Sequence, residues 1–196
     1  MKANLESVEL TLRLWRQAYQ TYTLLKKCED QVFGEYGLTT EQYSVLAAID
    51  YFGGPTKVTD IAHWLERSTN SISMIVDRMV KVGLVKRVRD KVDRRVVFVS
   101  NSSKGEKALK PATLAGLEVI QKILSPLSDE DRHTLISLLE IPKYSMLEHL
   151  NPRVNIKEVK RNELEQAANL KKWLSEYGLL STPQSKRQGG KKRKTK

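Results

Sequence analysis

The 196-residue sequence predicts a mainly α-helical fold with one small β-hairpin. Three observations lead to this prediction. Apolar residues recur at intervals of three and four over most of the chain, which is the spacing of amphipathic helices. A single segment, residues 84–99, has the alternating, β-branched composition of paired strands. Most glycines and prolines fall between these segments and therefore mark turns.

The first predicted element is a long amphipathic helix from residue 5 to about residue 36. Such a helix must lie against its own domain or against a second subunit, and the residues alone leave both destinations open. Its apolar side chains step by threes and fours along one face: Val8, Leu12, Trp15, Tyr19, Tyr22, Leu25 and Val32.

A second, shorter helix is predicted to begin at Thr39. Thr39 and Gln42 have the spacing of a capping box, in which each residue satisfies a free backbone N–H of the other. The helix should stop at Gly53-Gly54-Pro55. Lys57 and Val58 then form a brief strand.

Residues 58–82 predict two short helices separated by the polar break Glu66-Arg67-Ser68. Thr59 is expected to cap the first helix. Two helices joined in this way match a helix-turn-helix, whose second helix lies in the major groove of DNA. The second helix has one face for a core, formed by residues at the helical period: Ile72, Ile75, Val76 and Met79.

The segment after Gly83 predicts a basic hairpin. Gly83 can adopt a left-handed conformation and end the helix, and residues 84–89 and 96–99 have strand composition. Residues 86–95 hold six Lys or Arg against two Asp. A cationic loop beside a recognition helix suits the phosphate backbone and the narrow minor groove.

At these residues the sequence resembles the MarR family of winged helix-turn-helix transcriptional regulators. The family's wing signature corresponds to Asp93-Arg94-Arg95, an apolar strand at residues 96–99, and the helix start Ser102-Ser103-Lys104-Gly105. The resemblance implies that Arg95 enters the minor groove and that Asp93 orients it. The sequence departs from the family pattern at Met74 and Asn101, so the family's preference for particular bases is not carried over to this protein.

The resemblance also implies two sets of DNA-contacting residues. Those of the recognition helix are Ser68, Thr69, Asn70, Ser71, Ser73 and Met74, and those of the wing are Arg89, Lys91, Asp93, Arg94 and Arg95.

Beyond the hairpin, residues 102–150 predict two further helices. Ser102 or Ser103 caps the first and Ser128 the second, while Pro111 should kink or break the first and Pro142 should halt or bend the second. Residues 151–180 predict one or two extra helices outside the resemblance, and residues 181–196 a disordered basic tail. The predicted domains are an N-terminal dimerisation helix (1–36), a winged helix-turn-helix DNA-binding domain (38–101), C-terminal dimerisation helices (102–150), a helical extension (151–180) and the basic tail (181–196). The resemblance implies that the N- and C-terminal helices together form a dimerisation platform.

Charge and composition exclude several function classes. Seven charges of the net +11 fall within residues 186–196, so overall charge alone is weak support for a polyanionic partner.

Lone Cys28 rules out an intrachain disulfide, and the neighbouring Glu29 and Asp30 oppose a reactive thiolate. No metal-ligand cluster, cofactor loop or catalytic constellation is present, so we expect no metal, no cofactor and no enzyme activity. No segment suits a membrane span or a secretory signal, which predicts a cytoplasmic protein.

Together these features predict a homodimeric, sequence-specific regulator of double-stranded DNA, most simply a repressor acting at a palindromic operator. The resemblance implies a small lipophilic or phenolic effector, and Trp15, Tyr19 and Tyr22 are candidates to line its pocket. Two other functions remain open. One is a protein-interaction module on a winged-helix scaffold, and the other is a non-specific architectural DNA binder that uses the basic tail.

Overall fold

A computed structural model describes residues 4–89 and 97–178. The fold class predicted from the sequence is confirmed, since the described residues form seven helices and one small antiparallel sheet. The elements, in chain order, are α1 (Leu5–Gly34), α2 (Thr40–Tyr51), β1 (Thr56–Lys57), α3 (Val58–Trp64), α4 (Thr69–Lys81), β2 (Val85–Arg89), β3 (Val97–Asn101), α5 (Ser103–Leu124), α6 (Asp129–Leu150) and α7 (Ile156–Glu176).

Local capping chemistry starts three helices where the sequence predicts. Thr39 and Gln42 form the reciprocal capping box of α2. The Ser102 hydroxyl accepts from Gly105 N at 3.1 Å at the start of α5, and the Ser128 hydroxyl accepts from Asp131 N at 3.1 Å at the start of α6. Each cap satisfies a backbone donor that the helix itself leaves free.

The predicted cap at Thr59 is wrong. Helix α3 begins at Val58, Lys57 holds the N-cap position without a side-chain bond, and Thr59 donates to the Asp60 carboxylate at 3.2 Å. The helix starts early because Thr56 and Lys57 pair with β3 and the chain turns directly out of that strand. Thr59 therefore lies inside the first turn.

The sheet has the order β1-β3-β2, with β3 antiparallel to both neighbours. Thr56 pairs with Val99, and Arg87 pairs with Val99 from the other side. The predicted brief strand is thus present, one residue earlier than expected. Gly83 has φ +77 and joins α4 to β2, as predicted for a left-handed helix end.

Neither proline interrupts its helix. Helix α5 continues through Pro111, so the predicted break is wrong, and α6 continues through Pro142 instead of halting there. Buried residues Leu109, Ala112 and Thr113 surround Pro111, so packing offsets the roughly 3 kcal/mol that an internal proline costs. Pro142 lies on an exposed part of its helix, where water can bind the carbonyl that the ring leaves free.

The chain divides into two compact units, residues 1–140 and 141–196, with the boundary inside α6. The core of the first unit gathers side chains from α2, α3, α4, β3 and α5, among them Leu46, Ile61, Ile72, Val99 and Leu109, each at most 2% exposed.

In the second unit, α7 is a single helix that ends before Gly178, which has φ +74. Tyr144 donates to Glu163 at 2.8 Å, and Lys143 reaches the same carboxylate at 2.8 Å. No helix among the described residues is long and apolar enough to span a membrane.

Candidate nucleic-acid interface

Helices α3 and α4 meet at a tight turn that fixes how α4 is presented. Glu66 adopts φ +52, and Arg67 N donates to Ala62 O at 2.9 Å, which closes the C-terminus of α3. Ser68 then caps α4 by accepting from Ser71 N at 3.2 Å. The two helices are therefore joined as a helix-turn-helix.

Helix α4 buries one face and exposes the opposite one. Ile72, Val76 and Met79 are fully buried and hold the helix on the core. Along the outward face lie Asn70, Met74, Asp77 and Lys81, all exposed. Of the candidate contact residues on this helix, Ser68, Thr69, Asn70 and Met74 are exposed, whereas Ser71 and Ser73 are half-buried.

The hairpin is tied to α4 by an ion pair that the sequence did not predict. The Arg87 guanidinium on β2 contacts the Asp77 carboxylate on α4 at 2.5 Å. Lys86 and Arg89 on the same strand are exposed. Of the candidate wing residues, Arg89 is the last described residue of β2, while Lys91, Asp93, Arg94 and Arg95 lie outside the described residues.

Sequence reasoning missed two arginines on the other flank of α4. Arg67 and Arg78 are exposed and border a cleft of about 470 Å³ between α4 and the first turn of α2. Arg78 lies four residues after Met74, so helical spacing alone would have placed it beside the exposed face. The cleft is lined by Thr39, Glu41, Gln42, Arg67, Ser71, Met74, Ile75 and Arg78.

A second cleft, of about 170 Å³, lies between α1 and α2. Of the three candidate pocket residues, Tyr22 lines this cleft and is 62% exposed. Trp15 and Tyr19 do not line it and are 69% and 67% exposed on the N-terminal half of α1. Lys26 on α1 binds Glu41 on α2 across this cleft at 2.9 Å. The lining residues are Tyr22, Leu25, Lys26, Glu29, Thr40, Glu41, Ser44, Leu65 and Arg67.

The two acidic side chains of this second cleft, Glu29 and Glu41, have pKa values shifted in opposite directions. The hydrogen bond from Lys26 is the largest influence on Glu41 and holds the pKa of its carboxyl below the ordinary value, with a smaller contribution from Arg67. Burial raises the pKa of Glu29 above its ordinary value. Glu41 is therefore the more strongly ionised of the two.

Cys28 lies in an apolar crevice between α1 and α5, beside Val32, Phe33 and Ile120. Among residues 4–89 and 97–178, no group of three or more His, Cys, Asp or Glu side chains is placed to hold a metal ion.

Comparisons with known proteins agree on one family. Residues 36–96 match the model of the MarR family. YpoP of Bacillus subtilis (strain 168), an uncharacterized HTH-type transcriptional regulator, is 30% identical over 126 residues, covering 61% of this chain and 89% of that protein.

Two solved regulators share the fold. The organohalide-sensing regulator RdhR-CbdbA1625 superposes in its ligand-free form with a TM-score of 0.68 at 22% identity, covering 78% of this chain and 90% of that one. Its 2,4-dichlorophenol-bound form superposes with a TM-score of 0.67, also at 22% identity, covering 76% of this chain and 88% of that one. A mutant of MarR from E. coli, complexed with operator DNA, gives 0.61 at 20% identity, covering 70% of this chain and 97% of that one.

Proposed function

Because the chain belongs to the MarR family of transcriptional regulators, we propose that it is a homodimeric repressor that binds a palindromic operator in double-stranded DNA and is released by a small-molecule effector. The observation that carries the proposal is α4, which is fixed to the core by one face and presents Asn70 and Met74 on the other. This is the arrangement a helix needs to enter the major groove.

Cations flank the presented face of α4 on both sides. Arg67 and Arg78 lie on one flank, and the β2 residues Lys86 and Arg89 lie on the hairpin tied to α4 by Asp77. A helix in the major groove has a phosphate backbone on each side, so both sets are suited to phosphate contacts. In this proposal Ser68, Thr69 and Asn70 meet phosphates and base edges at the start of the helix.

The N-terminal half of α1 supports a dimer. Every residue from Asn4 to Tyr22 is exposed, including Leu12 at 64% and Trp15 at 69%. A helix with so much exposed apolar surface requires a covering partner, and a two-fold copy of the chain supplies the same surface in return. Two recognition helices related by a dyad would read half-sites roughly 34–36 Å apart.

The cleft between α1 and α2 is suited to the effector. It combines an aromatic and aliphatic lining at Tyr22, Leu25 and Leu65 with the ionisable groups Lys26 and Glu41. The related regulator RdhR-CbdbA1625 has been solved with 2,4-dichlorophenol, a lipophilic phenol. We propose that a ligand of this kind binds here and weakens DNA binding by favouring a different spacing of the two recognition helices.

We expect footprinting across the protein's own upstream region to reveal a palindromic protected site. In a gel shift, a duplex carrying this site should bind at least a thousandfold more tightly than a scrambled duplex at fixed salt, which is the lower end for specific regulators. Deleting residues 183–196 should lower both affinities by similar factors and so preserve their ratio. Equal affinity for both duplexes, or loss of most binding without the tail, would instead indicate an architectural binder.

Arg95→Ala should weaken binding to the palindromic duplex by about 1–3 kcal/mol, if the wing arginine makes the minor-groove contact that the family resemblance implies. Arg161→Ala is a matched control, because Arg161 is an exposed arginine on α7, outside both the helix-turn-helix and the proposed dimer stripe of α1. Titrations at one salt concentration would measure both variants. Unchanged affinity in Arg95→Ala would exclude this role.

A further inference from the structure

The first turn of α2 forms a wall shared by the two clefts. Glu41 and Arg67 line both the cleft beside α4 and the cleft beside α1. Both residues can therefore be reached from either cleft. The shared residues also carry opposite charges.

This turn is attached to α1 at two neighbouring points. Thr40 donates to the Asp30 carboxylate through its backbone N–H at 3.3 Å and through its hydroxyl at 2.5 Å. Glu41 accepts from Lys26 Nζ at 2.9 Å, with 31% and 37% of the two side chains exposed. The carboxylate of Glu41 is thereby held on the α1 side of the wall.

Arg67 has no such partner. Its side chain makes no hydrogen bond or ion pair with any residue that the structure describes, although it lies close enough to Glu41 to lower the pKa of that carboxyl. Its backbone is fixed by the bond to Ala62 O immediately before Ser68. The guanidinium is thus placed at the start of the recognition helix and is free for a phosphate.

We propose that Glu41 exchanges cations and so couples the two clefts, an inference that rests on the proposed function. While Lys26 holds Glu41, Arg67 is free to contact a DNA phosphate. When an anionic group of a bound small molecule takes Lys26, the Glu41 carboxylate pairs with Arg67 instead. Each subunit then contacts the DNA through one cation fewer, and its affinity for DNA falls.

The exchange is tested without an effector, because Lys26→Met removes the lysine from Glu41 as the anion would. We expect Lys26→Met to weaken binding to the footprinted duplex about tenfold. The slope of log K against log salt should become shallower by roughly 2 per dimer, because about one phosphate contact is lost in each subunit. Lys27→Met is the matched control, since Lys27 is exposed, neighbours Lys26 on α1 and lines neither cleft. Lys27→Met should leave both the affinity for the duplex and the salt slope unchanged.

Two double variants separate cation exchange from simple loosening of α2. Lys26→Met with Glu41→Gln also lacks the ion pair but has no carboxylate to capture Arg67, so binding should return to within about twofold of wild type. Lys26→Met in an Arg67→Gln background should cause no further loss, because the affected cation is already absent. If the first double variant stays as weak as Lys26→Met, or if Lys26→Met binds like wild type, the exchange is refuted. A wild-type protein with no sequence preference would refute the proposed function instead.

Discussion

Gly105→Ala will destabilise the fold more than Gly34→Ala or Gly116→Ala. A methyl group at this position would lie 2.3 Å from Leu84 O and 2.8 Å from Leu46 Cδ2. Leu84 O also accepts the Ser102 N–H at 3.0 Å, so the carbonyl cannot move without disturbing the start of α5. Overpacking of this kind costs about 1–3 kcal/mol, and here the closest obstacle is backbone.

The expected net loss is about 2 kcal/mol, since alanine recovers part of the cost through its higher helix propensity. In a chain of this length that corresponds to a fall in Tm of roughly 4–8 °C. Thermal unfolding followed by circular dichroism at a fixed protomer concentration would measure it. The concentration must be matched because dimerisation adds to apparent stability.

Two other glycines provide a graded control. Gly34, the last residue of α1, has nothing within 4 Å of the point where an alanine methyl group would lie, so Gly34→Ala should be neutral or stabilising by several tenths of a kcal/mol. Gly116→Ala should fall between, because its methyl would meet Phe33 Cε1 at 3.0 Å. The Phe33 ring is stacked on the Tyr43 ring, with 3.9 Å between the two ring centroids, so it has little room to move away. A Gly105→Ala protein as stable as Gly34→Ala would show that the Leu84 turn yields easily.

The parts of the fold that the sequence predicts well depend on neighbours within one helical turn. The Thr39–Gln42 capping box, the Ser102 and Ser128 caps and the left-handed Gly83 all involve residues no more than four positions apart. Their geometry is decided by local hydrogen bonding, which the sequence displays directly.

The errors come from tertiary packing. Thr59 has the residue type of a cap, but pairing of Thr56 and Lys57 with β3 sets the helix start earlier. The break predicted as one alternative at Pro111 is absent, and α5 remains one continuous helix there because buried contacts on both sides hold it. In each case a partner far away in the sequence overrides a local preference.

The candidate site likewise has a part that the sequence predicts and a part that depends on tertiary packing. The sequence predicts which face of α4 is free, because helical periodicity separates core from surface. It does not predict that Arg67 shares a cleft with Arg78, or that Lys26 binds Glu41 fifteen positions away. Both depend on how α1, α2 and α4 approach one another in space. The roles of the candidate contact residues remain proposals for DNA-binding experiments.

Leu12→Glu should abolish both the dimer and specific DNA binding. Leu12 lies in the exposed N-terminal part of the apolar stripe of α1 and is 64% exposed in the single chain. If a second copy covers this stripe, the substitution buries two unpaired carboxylates, one from each subunit, which costs several kcal/mol. We expect the dimer dissociation constant to rise at least a hundredfold, roughly 3 kcal/mol.

Gln20→Glu is the matched control, because it adds the same charge to the same helix on its polar side. Sedimentation velocity should show a dimer for wild type and Gln20→Glu, and a monomer for Leu12→Glu at micromolar concentration. The monomer can occupy only one half-site, so it should bind a full palindrome no more tightly than a single half-site. Retention of the dimer in Leu12→Glu would mean that the α1 stripe is not the interface and would require another surface to set the half-site spacing.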